Sequence, residues 1–517
     1  MKTNSYKIAF GFLIFFTIAF AVFSFDGFYF YDDYAYIYYA QQIVSGTYQI
    51  ANTDIFAHRW GLILPLALCI KIFGINEWAV CLLPLVATLC SLFLFYVFSK
   101  HLPSNSRLYA LLFFGLDFYT LFFANKVYPD VLLTTLVLAG LYFLWHRNKH
   151  WIVALGFVFF NFWAFLCKEL IIYLIPFYLF VLFKDLKNKQ NSKFWLVAIA
   201  MSIFLLVSYL FVYQIFTENA LFRFRAIQDG HYTVGFSYYD KPFTYTLKRI
   251  TYEPLLMFVN TSVIITLSGA IVLLFFVKKQ ENHLVFFTAY ALGTGLLMFW
   301  FMTTNFSAYN PIGLFPRHIL FLLPLGAMLT AVALGDKQIC TATALLLLLS
   351  ALWAWRTVGY KTATLYALLG IWLFVKNYFL FAKKTFWDLG LFAILLLHPL
   401  YTMLKPTETA YWAEKQIFEK YITQLQTPCI IYTDDKLLTG HRWYFKFKEN
   451  NSIQFKDFSE LEKDQISNLQ KYVLINSYSV EYFSQIGYPI PEYVRSIPTN
   501  WQIVVENKKV KLYLLNR

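Results

Sequence analysis

Residues 8–25 read IAFGFLIFFTIAFAVFSF, eighteen consecutive positions without a charged side chain. A helix needs roughly 20 predominantly apolar residues to cross the hydrocarbon core of a bilayer. The run follows Lys2 and Lys7, as the apolar segment of a signal peptide would. It exceeds the roughly 7–15 residues of such a segment, and no small-x-small cleavage site follows it. It is therefore expected to stay as a first transmembrane helix.

The same pattern recurs along the chain. Further apolar runs cover approximately 78–98, 107–123, 131–146, 151–166, 169–183, 194–214, 254–277, 284–302, 315–334, 339–355, 362–381 and 386–403. With the first run this predicts thirteen spans. With the N-terminus placed in the cytoplasm, every second connection is cytoplasmic. Those connections carry Lys100 and Arg107, Arg147 and Lys149, Lys184 to Lys193, Lys278 and Lys279, Lys337, and Lys383 and Lys384. Short basic inner loops are what the positive-inside rule demands. A register shifted by one helix would spoil the agreement at nearly every loop.

Composition supports this reading. Of 517 residues, 59% are hydrophobic, 21% aromatic and only 14% charged, against about 25% charged in a soluble domain. The net charge of +14 is accounted for by basic loops, so no nucleic-acid partner is implied. Cys69, Cys81, Cys90, Cys167, Cys340 and Cys429 form no CxxC pair, and five lie in or beside apolar runs. This argues against a zinc site or a disulfide framework. No internal repeat stands out.

Three regions fall on the opposite, extracytoplasmic side. Residues 26–77 contain the stretch Gly61 to Gly74, too short to span and expected to lie in the interface. Residues 215–253 hold Arg223, Arg225, His231, Lys241, Lys248 and Arg249. The tail, 405–517, mixes polar and apolar residues. Strands are expected at Cys429–Thr433, Tyr472–Asn476 and Trp501–Val505, and a helix at 457–469, giving a small extracytoplasmic α/β domain beside a membrane domain of residues 1–404.

Asp32 and Asp33 follow the first span within a few residues. Adjacent carboxylates repel each other and here sit beside a low-dielectric phase, which favours a proton acceptor. Acids are also common at the start of a helix, where they cap it or oppose its dipole. The residues alone leave both roles open.

The segment from Asp32 to Tyr48, with apolar residues at helical spacing and a Ser45-Gly46 stop, resembles the Asp-Glu-x-x-Tyr opening of the GT-C glycosyltransferases. That class includes protein O-mannosyltransferases and the bacterial transferases that place aminoarabinose on lipid A. The resemblance continues in order. Arg59-Trp-Gly-Leu-Ile-Leu-Pro and Lys71-Ile-Phe-Gly-Ile-Asn-Glu are similar to the class's juxtamembrane helix and following turn. Tyr128-Pro-Asp-Val-Leu resembles its second acidic motif, and Phe165-Leu-Cys-Lys-Glu its Thr-Lys-Gly/Glu motif. Asn310-Pro-Ile-Gly-Leu-Phe-Pro-Arg-His resembles a later outer loop, and Pro428-Cys-Ile-Ile-Tyr-Thr-Asp-Asp the first strand of the outer domain in the aminoarabinose branch. Two departures stand out. Position 33 is Asp where Glu is usual, and Arg59 lies in His-Arg-Trp, not in the Glu-Lys-Pro of the lipid A enzymes. The acceptor is left open by these differences.

The resemblance implies an all-α polytopic membrane domain of GT-C type that moves a sugar from a polyprenyl-phosphate donor to a lipid, protein or glycan acceptor on the outer face of the inner, or plasma, membrane. Asp32 would be the catalytic base, with Asp33 beside it. The leaving phosphate would need fixed cations. Arg59, Lys126, Lys168, Arg223, Arg225 and Arg317 are the candidates, with Asp130, Glu169 and His318 as further substrate contacts. Each cation could instead snorkel or meet lipid headgroups. The branches most similar to this chain imply no metal and no other cofactor, and His58, His231 and His318 are too scattered to suggest one. An O-antigen ligase or polymerase would centre on outer loops rich in Arg and His. A transporter or lipid flippase would place its charges and broken helices at mid-membrane, often in two related halves.

Overall fold

The computed structural model describes residues 2–28, 30–232, 238, 241–275, 282–304, 309–378, 384–406, 409–448, 450–464, 469–485 and 489–515. The chain divides into two compact units. One contains Met1–Phe23, Gln49–Pro65 and Cys81–Met403; the other contains Ser24–Tyr48, Leu66–Val80 and Leu404–Arg517.

The first unit is a helical membrane bundle, and the chain is a multi-pass membrane protein. Among the described residues, seven helical segments are long and apolar enough to cross a bilayer: Ser5–Phe23, Glu77–Ser99, Ser192–Thr217, His283–Phe301, Pro316–Ala333, Lys337–Thr357 and Lys384–Leu404. An eighth span arises if Arg107–Gly115 and Phe118–Asn125, bent by 49°, are taken together. Helix is present within every one of the thirteen runs read from the sequence, but several are shorter or broken. The breaks have local causes. Asp117 ends one piece and caps the next by accepting from the Thr120 N–H, an ordinary N-cap role. The run 254–277 divides at Ser262, whose φ of 62° is left-handed. The run 169–183 begins as a 3-10 turn, Glu169–Leu174, and becomes α-helical at Ile175, followed by Pro176.

Packing inside the bundle uses small residues and hydroxyls, as it must where apolar burial gives little preference for helix over lipid. A Cβ at Gly269 would lie 2.9 Å from the Thr330 backbone. There Thr330 Oγ1 donates to the Thr266 carbonyl at 2.7 Å and accepts from the Ala270 N–H at 3.0 Å. The helices Pro129–Trp145 and Val153–Cys167 form a tight hairpin. Beyond its turn, Arg147 is fixed to Asp185 at 2.6 Å, and Trp195 and Asn191 donate to the same carboxylate. The hairpin's other end brings the start of the first helix beside the end of the second.

The second unit is built on a five-stranded sheet: β1 Cys429–Thr433, β2 Ile453–Asp457, β3 Gln470–Asn476, β4 Trp501–Asn507 and β5 Val510–Leu515, in the order β2-β1-β3-β5-β4. β1 runs parallel to β2 and β3, while β5 is antiparallel to β3 and β4. Ile430, Tyr432, Phe458, Val473, Ile475, Val494 and Tyr513 form its core. The three strands expected in the tail are present, and β2 and β5 are additional. The helix expected at 457–469 is not found among the described residues, and 465–468 lie outside them. Only a 3-10 turn, Phe458–Glu460, forms, capped by Asp457. Asp464 is instead drawn to the sheet, where Lys456 and Tyr432 each donate to it at 2.7 Å.

Candidate functional site

The expected site residues divide between the two units. Asp32 and Asp33 open the helix Phe30–Ser45 and belong to the second unit; the others belong to the first. Asp33 is fully buried and Asp32 is partly exposed. Both lie in the first turn, where a carboxylate is favoured by the helix dipole. This acidic helix packs on the tail helix Asp435–Tyr444. A Cβ at Gly440 would lie 2.9 Å from the Tyr34 ring, so the glycine permits the close approach. Phe28 meets Trp443 edge-on with centroids 5.0 Å apart, and the Arg442 guanidinium lies 4.7 Å above the Tyr38 ring.

In the membrane unit the hairpin end collects charges. Asp130 stands in the first turn after Pro129, and Lys168 is the residue that ends the second helix. Lys168 Nζ donates to Asp130 Oδ1 at 2.6 Å, and both side chains are buried. Among the described residues, the second oxygen of Asp130 is buried without a hydrogen-bond partner. Glu169, next in the chain, accepts from Arg223 through Nε and Nη2. The same guanidinium donates to Tyr209 Oη at 3.1 Å and the Phe165 carbonyl at 2.8 Å, and its plane lies 4.7 Å from the Phe165 ring. Arg59 approaches Glu169 from the other side, Nη2 to Oε2 being 3.8 Å. Its segment can come this close because residue 61 is glycine. A Cβ there would meet Cys167 Sγ at 2.5 Å and the Cys167 backbone nitrogen at 2.6 Å.

Arg317 adds a further cation within electrostatic reach of Lys168. Its guanidinium lies 4.8 Å from the Tyr128 ring and 5.5 Å from the Phe315 ring. Lys126 is buried, with Nζ 5.4 Å from the Phe122 ring. His318 is held by the Gly313 carbonyl at 2.7 Å from Nδ1. Arg225 is placed differently. It lies two residues beyond Arg223 on the helix Phe222–Tyr232, on a different face, and is exposed. Among the described residues, no hydrogen bond or ion pair joins it to the cluster.

Several contributors had no role assigned from the sequence. Tyr209 reads as an ordinary apolar-run aromatic, and Tyr128 stands in the second acidic motif without a part of its own. Arg249, fully buried, donates to the carbonyls of Phe299, Trp300 and Ile312, and so satisfies the end of the helix His283–Phe301, a role cations fill at helix C-termini. His58 is a structural residue. Its Nε2 lies 2.6 Å from the Asn52 carbonyl and must donate, so Nδ1 accepts from Tyr213 Oη at 2.9 Å. Burial lowers its pKa to about 4, which keeps that neutral tautomer in place. The His231 side chain lies outside the described residues. All six cysteines are free thiols. Among the described residues, no group of three or more His, Cys, Asp or Glu side chains is placed to hold a metal ion.

This arrangement is suited to holding an anion. Arginine and lysine side chains, locked by carboxylates, a phenol and backbone carbonyls, cost little further ordering when charge develops beside them. Buried ionisable groups at the ends of membrane helices are expensive to keep and usually have a task.

Residues 62–213 match the family model described as dolichyl-phosphate-mannose-protein mannosyltransferase. The matched segment includes Lys126, Asp130, Lys168 and Glu169. A search of curated protein sequences finds no match. Two solved structures of ArnT from Cupriavidus metallidurans are similar over 99% of this chain and 98% of theirs, at 12% sequence identity. The apo structure aligns with a TM-score of 0.57, and the structure bound to undecaprenyl phosphate with 0.58. At this identity the likeness establishes the fold: the GT-C architecture expected from the sequence is the architecture of the chain.

Proposed function

We propose that the protein is a membrane glycosyltransferase that moves a sugar from a polyprenyl-phosphate-linked donor to an acceptor on the extracytoplasmic face of the inner membrane. The observation that carries this is the cluster of buried Arg59, Asp130, Lys168 and Arg223 with half-buried Glu169 at one end of the hairpin, on a fold shared with a protein crystallised with undecaprenyl phosphate. The mannosyltransferase family match across residues 62–213 supports the same reaction class.

In this reading Asp32 takes the proton of an acceptor hydroxyl. The hydroxyl oxygen forms a bond to the anomeric carbon, and the bond from that carbon to the phosphate oxygen breaks. Its electron pair leaves with the polyprenyl phosphate, and the configuration inverts. Lys168, Arg223 and Arg317 stabilise the growing phosphate charge, with Arg59 and Lys126 beside them. Asp33 stands by the base, and Asp130 and Glu169 hold the cations in place. The residues need no further cofactor for these steps. Residues 1–404 would form the transferase domain, with 26–77 and 215–253 as its site loops, and 405–517 an extracytoplasmic domain; the acceptor is a lipid, a protein or a glycan.

The test uses purified protein in lipid nanodiscs with radiolabelled undecaprenyl-phosphate sugars. Transfer of label to a lipid, protein or glycan, lost in Arg223→Ala, supports the reading. A protein that moves these lipids between leaflets without breaking the sugar–phosphate bond would be a flippase, and the proposal would fall.

A further inference from the structure

The second unit contains a chain of hydrogen bonds whose direction is fixed by its end. Glu414 is completely buried on the tail helix Tyr411–Lys420. Lys436 Nζ lies 3.1 Å from Glu414 Oε1, and Asn476 donates to the same oxygen. Tyr444 Oη donates to Glu414 Oε2 at 2.7 Å. Held by these three donors, the Glu414 carboxylate accepts from each of them. Tyr444 has one proton and gives it to Glu414. The 3.2 Å contact between the Tyr34 and Tyr444 hydroxyls therefore runs from Tyr34 to Tyr444. A directed relay, Tyr34 to Tyr444 to Glu414, ties the acidic helix to a rigid ionic anchor in the tail.

Its position on the acidic helix matters. At about 100° per residue, Tyr34 and Tyr38 share the face that meets the helix Asp435–Tyr444, and Asp32 lies about 160° around the axis from Tyr34. Tyr34 is thus fixed by a hydrogen bond within the same turn as Asp32, from behind. Tyr444 is itself immobilised, stacked on Phe418 with centroids 4.4 Å apart. A general base must hold its position to a fraction of an ångström, and a ~1 Å error can cost about 100-fold in rate.

We infer that Tyr444 is a positioning residue for the transfer reaction, fixing through Tyr34 the rotation of the helix that carries Asp32. The inference rests on the reading of Asp32 as the base. It assigns the tail a part in catalysis without contact with the substrate.

The test compares Tyr444→Phe, Tyr34→Phe and the double variant, as full-length protein in nanodiscs. Phenylalanine keeps both rings and removes only the hydroxyls. Each single variant is expected to lower kcat about 10-fold with KM for the lipid-linked donor unchanged within twofold. The double variant should lose the same 10-fold, because both hydroxyls act through one relay. Hydrogen exchange of amides 33–38 should quicken in all three. Unchanged kcat, a rise in KM alone, losses that multiply to about 100-fold, or unchanged exchange would each overturn the inference. Asp32→Asn is run alongside. If it retains transfer, the base assignment fails and takes the inference with it; if it is inactive while Tyr444→Phe runs at full rate, only the inference fails.

Discussion

Lys168 Nζ sits 2.6 Å from Asp130 Oδ1, 38 positions away in the chain, with both side chains buried. The pair closes the open end of the hairpin and leaves the other Asp130 oxygen buried and unpaired among the described residues. Removing one partner from such a pair strands a charge, at a cost of about 3–5 kcal/mol. Asp130→Asn should therefore lower the thermal unfolding midpoint in detergent sharply. Adding Lys168→Met to the same protein should restore most of that midpoint and none of the transfer. Full activity in the stabilised double variant would mean that the pair is only structural.

Arg317 should separate in the opposite sense. Its guanidinium rests against Tyr128 and Phe315, so Arg317→Met keeps an apolar stem against those rings and removes the charge near Lys168. Loss of one donor to a developing charge typically costs about 2.7–4 kcal/mol, or 100- to 1000-fold in rate. Transfer assays should show a fall of that size with the unfolding midpoint nearly unchanged. A fall in midpoint that accounts for the lost activity would place Arg317 in the framework instead.

Much of this was legible in the sequence, for physical reasons. Spans announce themselves because the bilayer imposes length and apolarity, and each of the thirteen runs contains helix. Lys168 and Arg223 could be singled out because charge at a membrane helix end or beside it is costly, and Asp130, Glu169 and Arg59 because they stand in segments that resemble motifs of the GT-C class. What was hidden depends on contacts between distant residues. Nothing local marks Gly61 as the position where Cys167 presses, or Tyr444 as the donor to Glu414. Residues 24–48 read as a loop of the membrane domain, yet in the structure they cluster with the tail, because Phe28, Tyr34 and Tyr38 bury against Trp443, Gly440 and Arg442. Arg225 shows the reverse. Its type and neighbourhood suited the site, but helical periodicity turned it away from Arg223.

Stability should depend on pH through Asp434. Its Oδ1 caps the helix Asp435–Tyr444 by accepting from the Leu437 N–H at 2.9 Å, while Oδ2 is buried without a partner among the described residues. Burial raises its pKa to about 7; Lys436 pulls it down, and Glu414 and Asp435 push it up. The unfolded value is about 3.9, so the folded state binds the proton more tightly. Its contribution to stability is then lost as pH rises from about 4 to about 7 and stays lost above. Asparagine caps as well as aspartate does and carries no charge. Asp434→Asn should match the wild-type unfolding midpoint near pH 4 and exceed it by a widening margin up to pH 7. A constant difference across that range would show that Asp434 does not titrate there.

The decisive variant is Asp32→Asn. Asp32 and Asp33 share the first turn of one helix but not one environment. Asp33 is fully buried, while Asp32 is partly exposed on the side away from the tail-facing tyrosines. A base must reach an incoming hydroxyl, which a fully enclosed carboxylate cannot do without rearrangement, so accessibility favours Asp32. Asparagine has nearly the same shape, keeps a carbonyl oxygen for the helix start and cannot accept the proton. General base catalysis is worth roughly 100- to 10,000-fold. Asp32→Asn should insert, fold with an unchanged midpoint and bind undecaprenyl phosphate, yet transfer almost no sugar. Asp33→Asn should keep more of its activity and lose more of its stability, because it alters a fully buried side chain in the first turn of the helix. Both are measured in the same nanodisc assay, with lipid binding followed separately. If Asp32→Asn keeps most of its transfer while Asp33→Asn or Asp130→Asn abolishes it with folding intact, the base is that residue and not Asp32.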